Sequence, residues 1–81
     1  MSGEQYLDKA LADYQEAALA ALEVVADALD CRRTGRLLTD EMLVRLDDVV
    51  FDCAMQSRRV MRVARGVGED RRKARLAAVS T

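Results

Sequence analysis

Few side chains in this sequence could carry out covalent or acid–base chemistry. Cys31 lies beside Arg32 and Arg33, whose charges would favour a thiolate. Cys53 is the second thiol, set among Val49, Val50 and Ala54. Neither belongs to a CxxC pair, and the chain has no His to act as base or ligand. Two Cys and no His cannot complete a four-ligand zinc site, and two Cys are too few for a disulfide scaffold. Cys53 is expected to pack as a small hydrophobe. No catalytic, metal or cofactor-binding residue is expected, and the chain is read as a non-enzyme without a cofactor. The residues left to act at a surface are arginines: Arg58, Arg59, Arg62, Arg65, Arg71, Arg72 and Arg75, with Lys73.

The elements that must position these groups are helices. The 81 residues are 51% hydrophobic, carry a formal charge of −1 and contain no Pro and no Trp. That length holds one domain, and the apolar fraction is too high for a disordered chain. Over residues 4–30, Leu7, Ala10, Leu11, Tyr14, Ala17, Ala18, Ala21, Leu22, Val24, Val25, Ala28 and Leu29 recur on one side of a helix. Ser2 stands ahead of it as a cap. The segment Cys31-Arg-Arg-Thr-Gly-Arg36 breaks the pattern, and Gly35 suits a turn position with positive φ. Thr39 then reads as the N-cap of a second helix, with Asp40 and Glu41 in its first turn. Leu38 and Leu43 flank that cap at the spacing of a hydrophobic staple.

The second helix is expected over residues 40–65. Its main stripe is Leu43, Leu46, Val49, Val50, Cys53, Ala54, Val60, Met61 and Ala64, and Gly66 and Gly68 are expected to stop it. Two helices of about 39 Å joined by a short turn form an antiparallel hairpin over residues 1–66. Residues 67–81 lack an apolar stripe and are expected as a short helix or a basic tail. The fold class is therefore all-α: a two-helix hairpin with a C-terminal appendage.

A hairpin alone supplies a thin core, and self-association is a common remedy. Val44, Phe51 and Met55 form a second apolar stripe on helix 2, away from the main one, and are the expected interface. Leu19 and Ala26 form a smaller stripe on helix 1. The expected assembly is a homodimer closing into a four-helix bundle, with a larger protein's groove as the rival occupant of the stripe.

Charge is strongly segregated. Residues 1–30 sum to −6, residues 31–57 to −1 and residues 58–81 to +6. Antiparallel pairing brings the acidic start of helix 1 beside the basic end of helix 2, so Arg58, Arg62 and Arg65 are expected near Glu4 and Asp8. Arg71, Arg72, Lys73 and Arg75 lie beyond and are expected to remain unpaired. These features predict a small homodimeric interaction protein that binds and sterically blocks or adapts a larger protein. Its type suits an inhibitor of host machinery encoded by a phage or mobile element. The alternative is a nucleic-acid-associated protein using the basic segment 58–75, although no aromatic residue stands there to stack on bases. The N-terminus lacks a signal-peptide pattern and no apolar run is long enough to span a bilayer, so a bacterial cytoplasmic location and no membrane partner are expected.

Overall fold

The computed structural model describes residues 2–80, which form two helices, α1 (Gly3–Arg33) and α2 (Asp40–Ser80), packed as an antiparallel hairpin. No strand occurs among the described residues. The molecule is a rod of 67 × 22 × 13 Å with a radius of gyration of 19.0 Å. A compact chain of this length would have a radius near 12 Å. The rod is thus one helix layer thick, and both of its broad faces meet solvent.

Local chemistry sets the helix ends. At the start of α1, Ser2 Oγ accepts from the backbone N–H of Gln5 at 3.3 Å, and the Ser2 N–H donates to Gln5 Oε1 at 3.0 Å. This reciprocal capping box satisfies two groups that the first turn would otherwise leave open. The Thr39 cap also forms, its Oγ1 accepting from the Met42 N–H at 3.2 Å. Between the helices, Gly35 takes φ +78°, the left-handed conformation expected of it. Arg32 Nη1 donates to the Arg36 carbonyl at 3.1 Å, and Arg36 Nε donates to Thr34 Oγ1 at 3.0 Å. Thr34 Oγ1 in turn donates to the Cys31 carbonyl at 2.9 Å, so the arginines brace the turn while Thr34 satisfies a carbonyl at the end of α1.

Two sequence expectations about the elements are corrected. The helix predicted to end at residue 30 runs to Arg33. The one predicted to end at 65 runs unbroken through Gly66 and Gly68 to Ser80. Glycine inside a helix costs about 1 kcal/mol relative to Ala. Here Val67, between the two glycines, is buried beneath the start of α1, and the following residues are mostly good helix formers. Gly3 makes this contact close: a Cβ there would stand 3.4 Å from Val67 Cγ2.

The seam has a strict period. On α1 its residues are Leu7, Ala10, Tyr14, Ala17, Ala21, Val24, Ala28 and Cys31; on α2 they are Met42, Leu46, Val49, Cys53, Gln56, Val60, Val63 and Val67. All are buried or half-buried, and steps of three and four alternate without a break. This is the heptad spacing of a coiled coil, with the seam at positions a and d. Alanines of α1 meet larger residues of α2, which allows close approach of the backbones. Of the stripe predicted on helix 2, Leu46, Val49, Cys53 and Val60 lie in the seam. Leu43, Val50, Ala54, Met61 and Ala64 do not, because a single partner helix covers only the a and d positions, and they stay exposed. For the same reason Leu11, Leu22 and Leu29 of α1 are exposed.

Candidate functional site

Flanking positions of the heptad divide the rod's surface. In an antiparallel pair, e positions of both helices border one broad face and g positions the other, with b and c beyond them. The ion pairs place these edges. Asp13 and Arg59, both g, meet at 2.7 Å, while Glu4 and Arg71, both e, form the pair at the other edge. Lys9 lies 3.7 Å from Asp13 and adds to the first cluster. Arg59 and Lys9 hold the Asp13 carboxyl below its ordinary value, chiefly through the hydrogen bond from Arg59.

The g and c face is charged along its length, with Glu16, Glu23, Asp27, Asp48 and Asp52 among its residues. A groove of about 340 Å³ opens on it, lined by Asp13, Glu16, Ala17, Ala20, Asp52 and Gln56. Gln56 occupies a seam position, and its Oε1 is buried without a hydrogen-bond partner. The e and b face is the opposite in character. Between Leu11 and Leu29 of α1 and Leu43 and Ala64 of α2, its one charged residue is Asp47. Leu11, Leu22, Leu29, Leu43, Val50 and Met61 are each 46–65% exposed there.

Val44 and Phe51 fall on the f line, the outer ridge of α2 away from α1, and Met55 stands beside it at c. They are 62%, 66% and 46% exposed, and they share one surface on the turn half of the rod. The same ridge continues toward the C-terminus as Arg58, Arg65 and Arg72, flanked by Arg62 at c, all exposed. The expected pairing of Arg58, Arg62 and Arg65 with Glu4 and Asp8 is corrected. Outer positions cannot reach α1, and the arginines at flanking positions, Arg59 and Arg71, make the ion pairs. Arg71, expected beyond the hairpin, is inside it because the seam extends to Val67. Arg72, Lys73 and Arg75 are exposed on the part of α2 that outruns α1.

Cys31 is a buried seam residue, its Sγ 3.6 Å and 3.8 Å from the carbonyl oxygens of Leu37 and Arg36. That placement makes it a packing group rather than an open thiol at the turn. Cys53 is half-buried in the seam. Among the described residues, no group of three or more Cys, Asp and Glu is placed to hold a metal ion. None of their helices is long and apolar enough to cross a membrane.

Met42, Gln56, Val63 and Val67 were missed as seam residues in the sequence. The 3.5-residue step from 42 to 67 was the available signal. A polar Gln in its middle and two glycines near its end obscured it.

The surfaces define a helical hairpin of coiled-coil type with an apolar face, a charged face and an outer ridge that is apolar at one end and basic at the other. No family model, no curated protein and no solved structure matches the chain.

Proposed function

We propose that the protein is a non-catalytic interaction module, a rigid helical rod that binds a larger protein and blocks or bridges its surface. The observation that carries this is the outer stripe of α2: Phe51 is 66% exposed and flanked by exposed Val44 and Met55, on a ridge that α1 does not reach. Exposed aromatic and aliphatic anchors on a rigid helix, here in steps of seven and four residues, suit insertion into a partner's groove. Steric inhibition of host machinery, of the kind phage and mobile elements encode, is one use of such a rod.

The basic row Arg58, Arg62, Arg65 and Arg72 supports a second reading, binding of nucleic acid phosphates by the same ridge. One set of variants separates the two. If the module reading holds, Phe51→Asp abolishes retention of a specific protein from the native host while leaving helicity unchanged. An unchanged capture profile overturns it. If the second reading holds, DNA or RNA is retained at low ionic strength, binding falls steeply with salt, and the triple variant Arg58→Ala, Arg62→Ala, Arg65→Ala loses it while Phe51→Asp does not.

A further inference from the structure

We propose that the e and b face of the hairpin is the interface of a two-fold dimer, in which a second copy lies face to face and antiparallel to the first. This deepens the interaction-module reading, and rests on it, by naming the partner of a surface other than the Phe51 stripe.

The isolated rod leaves its core half covered. Its fully or nearly buried residues are small or medium-sized: Ala10, Ala17, Ala21, Val24, Cys31 and Val67. Six of the larger apolar residues, Leu11, Leu22, Leu29, Leu43, Val50 and Met61, point into water on the e and b face instead. That face is continuous with the seam, since Ala18, Val25 and Ser57 are half-buried at e positions along the groove between the helices. From Leu11 to Leu29 it is about 27 Å long at 1.5 Å per residue, and the rod is 22 Å wide. About 600 Å² per copy, or about 1,200 Å² for two, reaches the size at which stable interfaces begin.

The patch fits a second copy in particular because it is centred on the hairpin's own register. Asp13 pairs with Arg59, so the middle of the α1 stretch, near residue 20, stands level with the middle of the α2 stretch, near residue 53. Reversing the rod therefore lays the patch on itself. Charge selects that reversed orientation. Residues 19–55, the turn half, carry eight acids and four bases, a net of −4; the remaining half carries six acids and nine bases, a net of +3. Antiparallel rods set the negative half of each copy on the positive half of the other, whereas parallel rods would oppose like charges. At the ends of the face, Arg32 of one copy then comes level with Asp8 on the other.

Light scattering of the full chain reads the outcome. The wild type is expected at twice its 9.0 kDa mass. Leu22→Asp and Val50→Asp are each expected to halve the observed mass. Both positions are exposed in the hairpin, so circular dichroism should show either variant still helical. Phe51→Asp is expected to remain dimeric. A cysteine at Ala54 (with Cys31→Ala and Cys53→Ala) should join two chains on oxidation, because α2 crosses its symmetry mate near residue 54. Leu11→Cys in the same background should not. A monomeric wild type overturns the proposal, as does a dimer that survives both Asp variants or is lost on Phe51→Asp alone. So does a dimer cross-linked through Leu11→Cys and not through Ala54→Cys. Failed protein capture with an intact dimer would count against the Phe51 reading only.

Discussion

The two broad faces of this hairpin border the same seam, yet between Leu11 and Leu29 of α1 and Leu43 and Ala64 of α2 one carries a single charge, Asp47, and the other is lined with charge. Both are built from the same two helices, so helix propensity cannot distinguish them. What differs is the heptad position: e and b on one side, g and c on the other. On the charged side, ion pairing across the seam, as between Arg59 and Asp13, gives the rod a finished surface. On the apolar side, Leu22 and Val50 remain exposed with nothing from their own chain to cover them. The charged face therefore behaves as an outside and the apolar face as an unfinished inside.

The largest effect is expected where the faces meet. Ala10 is fully buried in the seam, whereas Ala20 is exposed on the charged face. Ala10→Asp would bury a carboxylate against Val63 in a site shaped for a methyl group. Its expected cost is about 3 kcal/mol or more, enough to unfold a marginal chain. Ala20→Asp adds the same charge at the surface and should cost only about 1 kcal/mol, from its lower helix propensity and repulsion by Glu16 and Asp52. Urea unfolding followed by circular dichroism compares them, and equal midpoints would break the distinction between seam and face.

A smaller effect of opposite sign is expected at Gln56. It is the polar member of the α2 seam and leaves Oε1 buried without a partner beside the groove of the charged face. An unpaired buried acceptor costs about 1–3 kcal/mol. Gln56→Leu should therefore stabilise the rod, by about 1 kcal/mol once imperfect packing beside Ala17 is included. Thermal unfolding measures it. A lower midpoint for the Leu variant would mean that the amide makes a contact worth more than burial of the new methyl groups.

Much of the fold was legible in the residues because its signals are local. Ser2, Gly35 and Thr39 each act within a few residues of their own position: the two hydroxyls cap their helices, and Gly35, lacking a Cβ, takes the positive φ of the turn. The hairpin's antiparallel sense followed from a short turn between amphipathic helices. The less legible features depended on how much one helix can cover. A wide apolar arc on α2 looks like a single buried stripe, but the seam admits only the a and d positions and expels Leu43, Val50 and Met61 to the surface. The same geometry decides the ion pairs: Arg59 reaches α1 and Arg58 does not, although they are adjacent in sequence. Continuation of α2 past Gly66 was hidden because it depends on Val67 finding Gly3, sixty-four residues away in the chain.

The smallest effect tests the charged face by pH. Asp13 is held below its ordinary value of 3.8 by the hydrogen bond from Arg59, with Lys9 assisting. A carboxyl depressed in the folded state stabilises the fold above its unfolded value and loses that contribution as pH falls through the folded value. The window thus begins near pH 4 and extends below it, and nothing should change between pH 6 and 8. The pair is only half-buried, so salt should weaken it too. Stability of the wild type relative to Asp13→Asn should fall between pH 5 and pH 2, and the difference should shrink in high salt. Arg59→Ala should remove most of that pH dependence. A pH-independent difference would show that Asp13 acts by packing at the groove instead of by charge, and would remove the Arg59–Asp13 pair as a source of the charged face's stability.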